Sequence, residues 1–229
     1  LVAFNKEEIL RHLVEHAPTN YNNVTTIADL LIMVGVIAGE KAIAVDTETT
    51  GVTHDDVIVG YSVTCPIADM HFYVPFRHQT GEQMIDEYDA MTAIKPFLED
   101  SRILKVLHNV KFDHEKFLFD KYSINMVNYV DTMILMYVLN ENEESYALKK
   151  LATKYGKHFG FNDKSDTYEE LFGKGGFENT PLNVAYIYAC KDTHLTWSLY
   201  QWQLEHLKKQ PKLWHIAFDI EMPLIPVLL

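Results

Sequence analysis

The sequence predicts an α/β fold in which a mixed β-sheet is flanked by helices. Short apolar runs of strand length recur along the chain, and the first three follow one another closely enough to form an antiparallel meander. Beyond them, segments with helical spacing alternate with further short apolar runs, which is typical of strands joined by helices. With 229 residues, 48% of them hydrophobic and 23% charged, the chain can form one large globular domain or one domain with an appendage.

Two helices are predicted before the first strand. Asn5 can cap a helix over residues 6–16, whose apolar positions form one stripe. Polar residues at 19–23 then interrupt the pattern, so no regular element is predicted there. Thr26 is a favourable cap for a second helix because Asp29 stands at the capping-box position. The apolar stripe predicted for this second helix consists of Ile27, Leu30, Leu31, Val34 and Ile37.

Three strands make up the predicted meander. The continuous apolar run at 42–45 is typical of a buried strand and ends in Asp46-Thr47-Glu48. Thr50-Gly51 provides a turn, and residues 57–63 and 70–74 are the second and third strands. These strands should form the antiparallel part of the sheet.

Helices and strands alternate in the rest of the chain. The longest helix begins at Thr180-Pro181, a capping residue followed by proline at the first helical position, and runs to about residue 209. Asp131 is a favourable cap for another helix. The remaining predicted elements are a helix over 82–98, strands over 103–107 and 127–130, and helices over 112–120, 132–139 and 147–155.

Four carboxylates and one phenol lie on or beside these apolar segments. Asp46 and Glu48 are two residues apart at the end of a strand, so both side chains point the same way. Asp113 lies just past the fourth predicted strand. Tyr188 and Asp192 are four residues apart in the long helix and share one of its faces. If that helix crosses the strand ends, the four carboxylates converge.

A buried group of carboxylates is costly unless cations neutralise it. Hard oxygen ligands favour Mg²⁺ or Mn²⁺, and two such ions can hold the attacking and leaving oxygens of an in-line displacement. Metal-assisted cleavage of a phosphodiester is therefore the leading hypothesis, and the combination of motifs favours it over a structural role for each part. Those structural roles are a turn at Asp46-Thr47-Glu48, a helix cap at Asn109 or Asp113, and a core phenol with a surface charge at Tyr188 and Asp192.

The bulk properties limit the expected partners and compartment. The net charge of −12 argues against a basic nucleic-acid-binding surface, so a tight sequence-specific duplex binder is not expected. No apolar run reaches the roughly 18 residues of a membrane span, and the chain becomes charged too early for a signal peptide. Cys65 and Cys190 lie in different motifs, which predicts no disulfide framework and a reducing compartment.

Three short motifs resemble those of the DEDD superfamily of 3'–5' exonucleases. They are Asp46-Thr47-Glu48-Thr49, Asn109-Val110-Lys111-Phe112-Asp113 and Tyr188-x-x-x-Asp192. The chain most resembles the proofreading domain of family A, DNA polymerase I-like, polymerases, since Asp131-Thr132-Met133 and residues 167–175 are similar to further motifs of that group. The resemblance implies a ribonuclease-H-like sheet, metal-dependent 3'–5' exodeoxyribonuclease activity, and single-stranded DNA 3' ends as the partner. It also implies a location in the cytoplasm of a bacterial or phage-infected cell.

The resemblance also implies roles for individual residues. Asp46, Glu48 and Asp192 would bind a first Mg²⁺ or Mn²⁺ ion, and Asp46 and Asp113 would serve a second. Tyr188 indicates the subgroup in which a tyrosine orients the attacking water or helps to remove its proton. The implied substrate contacts are Thr49, Val52 as a wedge between terminal bases, Asn109, and Tyr168 as a stacking platform near the 3' end.

Three parts are expected along the chain. Residues 1–23 would be a helical extension, 24–210 the exonuclease domain, and 211–229 the start of a connection to a polymerase domain for which no room remains here. Two alternatives stay open. One is a stand-alone DEDD exonuclease of the ribonuclease D or Werner type, acting on RNA or structured DNA. The other is a non-catalytic nucleic-acid-binding module that anchors a polymerase or another partner.

Further basic residues lie near the motifs. Lys105, Lys111, Lys116 and Lys191 could meet phosphates, although a solvated face is the favoured interpretation for at least half of them. The histidines lack the spacing of metal ligands. His108 stands where the polymerase I group often has glutamine, and the resemblance assigns it no role.

Overall fold

The structure is a computed structural model that describes residues 6–161, 167–173 and 175–228. Six strands of the described residues form one mixed sheet: β1 (Tyr21–Asn23), β2 (Ala42–Thr49), β3 (Ile58–Cys65), β4 (Met70–Pro75), β5 (Leu104–Leu107) and β6 (Tyr129–Asp131). Their order across the sheet is β1-β4-β3-β2-β5-β6. The central strands β2, β3 and β4 are antiparallel neighbours. Strands β5 and β6 continue parallel to β2, and β1 is parallel to β4.

Helices follow and separate these strands. None of the helices in the described part of the chain is long and apolar enough to cross a membrane. A π-helical stretch, Ile216–Glu221, joins the last two helices. The α-helices are α1 (Lys6–Glu15), α2 (Ile27–Ile37), α3 (Glu87–Leu98), α4 (Val110–Phe119), α5 (Thr132–Leu139), α6 (Leu148–Tyr155), α7 (Tyr168–Phe172), α8 (Leu182–Leu207), α9 (Pro211–His215) and α10 (Met222–Leu228).

Helices cover both faces of the sheet. On one face α8 crosses the strands, and its residues Ala185, Ala189 and Cys190 pack with Val59 and Tyr73. On the other face α2, α3 and α4 share the main hydrophobic core with β2, β3 and β4. Successive residues of a strand point to opposite faces, which is why one strand can serve both cores. The predicted fold class, a mixed sheet flanked by helices, is confirmed.

Residues 21–23, for which no regular element was predicted, form the edge strand β1. Its residues pair with β4 from Tyr21 opposite His71 to Asn23 opposite Tyr73. The pairing uses backbone groups, and the polar side chains of Asn22 and Asn23 carry no alternating hydrophobic pattern. A three-residue polar strand therefore gives no periodic signal in the sequence.

The apolar stripe predicted for α2 is wrong at two positions. Ile27 and Leu31 are 49% and 65% exposed, whereas Met33, which was not assigned to the stripe, is buried beside Leu30 and Ile37. Most positions around α2 are apolar, so spacing alone could not identify its buried face.

The start of α3 differs from the prediction, and the predicted cap of α1 cannot be compared with the structure. The helix predicted from residue 82 begins at Glu87, where Asp86 Oδ1 accepts the backbone N–H of Tyr88 at 2.8 Å. Residues 82–86 are therefore not helical. Asn5, the predicted cap of α1, lies outside the described residues.

Helix caps were predicted correctly at two positions and wrongly at a third. Thr26 forms a capping box with Asp29, and the Asp131 side chain accepts from the first turn of α5. Thr180 does not cap α8, because its hydroxyl lies 3.1 Å from the phenol of Tyr168 instead. The hydroxyl of Thr180 thus forms a tertiary hydrogen bond and does not bond to the first turn of α8.

Candidate active site

Asp46 and Glu48 lie on β2, which extends further into the motif than the sequence predicted. The strand continues to Thr49, and Glu48 remains paired with Gly60 of β3. In this extended backbone both carboxylates point to the face of the sheet that α8 covers. Glu48 is only 8% exposed.

Asp192 approaches this pair from α8. One oxygen each from Asp46, Glu48 and Asp192 lies within 4.8 Å of the other two, so these residues form a carboxylate cluster within the described part of the chain. Asp192 is 8% exposed. The crossing of α8 over β2 thus brings together side chains that are about 145 positions apart in the sequence.

Asp113 lies beside this cluster but outside the three-oxygen group. It is 2% exposed and sits in the first turn of α4. Its Oδ1 accepts two bonds from Thr47, one from the backbone N–H at 3.1 Å and one from the hydroxyl at 2.5 Å. The side chain of Thr47 points to the face of the sheet opposite to those of Asp46 and Glu48. Thr47 therefore holds the fourth carboxylate, that of Asp113, in place.

Asp131 fixes the start of the helix that carries Asp113. This buried carboxylate accepts the backbone N–H groups of Asn109 at 3.0 Å, Val110 at 2.9 Å and Met133 at 2.8 Å. Asn109 has a left-handed backbone (φ 72°) and its side chain does not cap α4. The sequence predicted Asp131 as a cap for one helix, whereas the structure shows that it serves two.

A buried tyrosine–histidine pair lies next to Glu48. His78 Nδ1–H donates to the carbonyl of Thr180 at 3.1 Å, and burial lowers the pKa of this imidazole. Its Nε2 is therefore an acceptor, and the phenol of Tyr73 donates to it at 2.6 Å. A Cβ at Gly60 would collide with this phenol, so the strand opposite Glu48 requires glycine there.

The pKa values of Asp46, Glu48 and Asp113 are raised. Burial raises the pKa of Asp46 to about 6. Burial and the charge of Asp46 raise the pKa values of Glu48 and Asp113 well above their usual range. Glu48 Oε1 is buried and has no hydrogen-bond partner among the described residues. A set of buried carboxylate oxygens, one without a partner, fits a hard divalent cation, so the cluster can hold a metal ion.

Lys149 is a site residue that sequence reasoning missed. It lies in the first turn of α6, is 8% exposed, and its Nζ makes a close ion pair with Asp192 Oδ1. Its charge lowers the pKa values of Asp46 and Glu48, against the larger effect of burial. A lysine in an amphipathic helical segment looks like a surface residue, so no signal in the sequence distinguished it from its neighbour Lys150.

Tyr188 lies one turn before Asp192, above the cluster. Its ring packs among those of Tyr168, Phe172 and Phe177, with centroid distances of 5.9–6.2 Å. Burial and the nearby carboxylates raise the pKa of its phenol. Tyr188 therefore keeps its proton at neutral pH and is available as a hydrogen-bond donor.

The four implied substrate contacts lie in different environments. Val52 is 87% exposed and Asn109 is also exposed. Thr49 donates its hydroxyl to the carbonyl of Gly51 at 2.6 Å. Tyr168 is half-buried, and its phenol donates to a backbone carbonyl at 3.1 Å. Two positions are thus open to a ligand, and two are engaged in contacts within the protein.

Two of the lysines near the motifs are buried, so neither a phosphate contact nor a solvated face describes them. The Nζ of Lys116 donates to the carbonyls of Thr53 at 2.5 Å and Asp56 at 2.6 Å, in the loop that follows Val52. Lys105 is fully buried, and its Nζ donates to backbone carbonyls at 2.8 Å. Both ammonium groups satisfy loop carbonyls that would otherwise be unpaired.

His108 connects β5 to the segment that precedes α6. Its Nε2–H donates to the carbonyl of Tyr146 at 2.8 Å, and its Nδ1 lies 2.8 Å from the hydroxyl of Thr132. Burial lowers the pKa of this imidazole, so it is neutral. His108 therefore links β5 to Tyr146, which precedes Lys149 by three positions.

Comparison with known proteins identifies the family. A family model described as 3'–5' exonuclease matches residues 21–210, which is most of the chain. The chain belongs to this 3'–5' exonuclease family. DNA polymerase I of Pseudomonas aeruginosa is 33% identical over 197 residues, covering 82% of this chain and 21% of the polymerase. The DNA polymerase of Escherichia phage T5 is 26% identical over 203 residues, covering 79% of this chain and 22% of that protein.

Solved structures of other proteins share this fold. Escherichia coli RNase D, an exoribonuclease involved in structured RNA processing, superposes with a TM-score of 0.68 at 20% identity, covering 90% of this chain and 50% of RNase D. The Pol1 structure from M. smegmatis gives 0.59 at 15% identity, covering 89% of this chain and 30% of Pol1. The ribonuclease-H-like fold expected for a DEDD exonuclease is thus confirmed. The chain spans about a fifth of the length of each of the two polymerases named above.

Proposed function

We propose that this exonuclease removes nucleoside 5'-monophosphates from the 3' ends of single-stranded or frayed DNA, as the proofreading module of a DNA polymerase. The observation that carries the proposal is the convergence of Asp46, Glu48 and Asp192 beneath the phenol of Tyr188. The polymerase relatives favour DNA as the substrate. The same relatives are several times longer than this chain, so we propose a polymerase domain as its partner.

The carboxylates would hold two Mg²⁺ or Mn²⁺ ions. Asp46, Glu48 and Asp192 would bind the first, and Asp46 with Asp113 the second. Both bonds from Thr47 go to Oδ1 of Asp113, so Oδ2 is the oxygen that we assign to the second ion. When bound, such ions activate a water molecule as the nucleophile and stabilise charge on the leaving oxygen.

The surrounding residues would orient the substrate and the attacking water. The phenol of Tyr188, which keeps its proton, would donate a hydrogen bond to that water. Val52 would wedge against the terminal base, and Tyr168 would stack near the 3' nucleotide. Thr49 and Asn109 would contact its sugar and phosphate. Stacking is insensitive to base identity, which suits removal of any frayed nucleotide.

The test is digestion of a 5'-labelled single-stranded DNA oligonucleotide, with an RNA of the same sequence in parallel. With Mg²⁺ or Mn²⁺ we expect a descending ladder from DNA, no cleavage in EDTA, and slower cleavage of RNA. Binding of DNA without cleavage under any of these conditions would contradict the proposal and favour a non-catalytic anchoring module.

A second candidate is an exoribonuclease. The structural likeness to Escherichia coli RNase D, at a TM-score of 0.68, favours it. The same experiment separates the two, since faster degradation of the RNA strand would support the second candidate and contradict the first. The polymerase relatives, one of them at 33% identity, are the reason for placing DNA first.

Replacing Tyr188 by phenylalanine should slow DNA cleavage about tenfold to a hundredfold, because a lost charge-assisted hydrogen bond is worth roughly 1.5–3 kcal/mol. The affinity for Mn²⁺ should stay nearly unchanged, since the ring still packs on Tyr168 and Phe172. Single-turnover rates and Mn²⁺ titrations measure the two effects, with Tyr186→Phe on the same helix as the control. An equal loss of metal affinity would mean that Tyr188 acts through the metal site.

The metal-free protein should lose stability as the pH rises from about 4, near the ordinary carboxyl pKa, through about 6, the raised pKa of Asp46, and beyond. Asp46 has a pKa raised to about 6, and those of Glu48 and Asp113 are raised well above the usual range, all mainly by burial. A carboxyl group whose pKa is raised by folding does not destabilise the protein at a pH below its pKa in the unfolded chain. Its destabilising effect is complete at a pH above its pKa in the folded protein. The Tm in EDTA should therefore fall across this range.

Saturating Mg²⁺ should reduce this fall, because the carboxylates must be deprotonated to bind the ion. Thermal unfolding at several pH values, with EDTA or Mg²⁺, measures both curves. The gap between them should widen with pH, and a constant gap would contradict the assignment of these carboxylates to the ion.

A further inference from the structure

The ammonium of Lys149 contacts the carboxylate cluster at Asp192. Its Nζ pairs closely with Asp192 Oδ1, and Asp192 offers an oxygen within 4.8 Å of oxygens from Asp46 and Glu48. The same Nζ is 4.3 Å from the ring centroid of Tyr188, a cation–π distance. The ammonium is therefore placed among the groups to which the proposed function assigns a metal ion.

The local environment of Lys149 does not explain this placement. Lys149 is in the first turn of α6, where the helix dipole disfavours a cation, and it is only 8% exposed. Burial of an ammonium is costly unless negative groups neutralise it. The carboxylates of the cluster, above all Asp192, provide that neutralisation.

The position of α6 is fixed by contacts on both sides. Leu151 is 1% exposed and packs with Met136 and Leu199. Before the helix, His108 donates to the carbonyl of Tyr146, and the phenol of Tyr146 donates to a backbone carbonyl at 3.0 Å. Lys149 is thus presented to the cluster from a rigid helix rather than from a loop.

One ammonium cannot balance three carboxylates. Its charge lowers the pKa values of Asp46 and Glu48, yet burial still leaves that of Asp46 at about 6. A divalent ion at the same place supplies more charge and can take oxygens from all three residues. A cavity of about 30 Å³, lined in part by Lys149, Tyr188 and Phe172, adjoins the lysine.

We propose that Lys149 is a positioning residue that serves as the internal counter-ion of the carboxylates in the metal-free protein. In the metal-free protein it holds Asp192 next to Asp46 and Glu48, and it leaves Asp192 when a divalent ion binds. This inference rests on the proposed function, because it assigns the ion to the same carboxylates. Metal binding then competes with the Lys149–Asp192 ion pair, and Lys149 keeps the site assembled at the expense of metal affinity.

The test compares Lys149→Met with Lys150→Met, its exposed neighbour on the same helix. Titration with Mn²⁺ alone, without nucleic acid, should give a Kd on the order of tenfold lower for Lys149→Met, because a competing charge a few ångströms away is gone. In EDTA its Tm should be lower than that of the native chain by about 5 °C, and saturating Mn²⁺ should remove this difference. Lys150→Met should match the native chain in all three measurements.

Different results would overturn the inference. A purely structural ion pair predicts the same loss of Tm with and without Mn²⁺, and an unchanged or weaker Mn²⁺ affinity. If Lys149→Met does not fold, Lys149→Gln, which keeps a donor for Asp192 but removes the charge, must show the tighter Mn²⁺ binding. Since no step uses DNA, tighter binding in a protein that cleaves nothing would refute the proposed function alone. DNA cleavage by the native chain with unchanged Mn²⁺ affinity in the variant would refute this inference alone.

Discussion

Asp46→Ala should lower the rate of DNA cleavage by about 10³-fold or more and leave the metal-free protein at least as stable as the native chain. Asp46 is the carboxylate assigned to both ions, so its loss removes several kcal/mol of transition-state stabilisation. Without metal, its charge raises the pKa values of Glu48 and Asp113, so removal relieves repulsion. The variant should therefore lose activity without losing stability in the absence of metal.

Asp192→Ala provides the contrast. It should abolish cleavage to the same degree, but it should also lower the Tm in EDTA, because it leaves the buried ammonium of Lys149 without this carboxylate. Initial rates on labelled DNA and thermal unfolding in EDTA measure both effects. Asp55→Ala, on an exposed loop, is the control and should change neither. Native cleavage rates in either Asp46→Ala or Asp192→Ala would refute the metal assignment.

Asp131→Ala should lower the free energy of unfolding by roughly 2–4 kcal/mol. The carboxylate is 2% exposed and accepts three backbone N–H groups, those of Asn109, Val110 and Met133. Its removal leaves the starts of α4 and α5 without these bonds. Since α4 carries Asp113, cleavage should slow as well.

Urea unfolding in EDTA measures the loss of stability, and rates at saturating Mg²⁺ measure the loss of activity. Asp131→Asn keeps an oxygen acceptor but loses the charge, so its loss of stability should be intermediate. A change below about 1 kcal/mol in Asp131→Ala would show that water replaces the carboxylate at both helix starts.

The residues of the site differ in how far the sequence could place them. Asp46 with Glu48, and Tyr188 with Asp192, follow from the two- and four-residue geometry of strands and helices, so each pair could be predicted from its spacing. The caps at Thr26 and Asp131 were predictable for the same reason, because partners lie within three residues. The catalytic and substrate-binding roles of these residues stay predictions until they are tested.

Interactions between distant segments could not be predicted in this way. Asp113 bonds to Thr47 across 66 positions, and Asp131 bonds to Asn109 across 22. Lys105 and Lys116 look like surface residues until the loops whose carbonyls they satisfy are in place. Strand β1 exists because β4 offers it a free edge, not because of its own residues.

The sequence by itself determined the α/β class, the order of most elements and the two local carboxylate-bearing motifs, since hydrophobic periodicity and short-range geometry act within a few residues. Only the tertiary structure decided that α8 crosses β2 and assembles Asp46, Glu48 and Asp192. It also placed Lys149 against Asp192 of that cluster. The reason is physical: the cost of burying a charge depends on which opposite charges the fold brings beside it, and no local pattern carries that information.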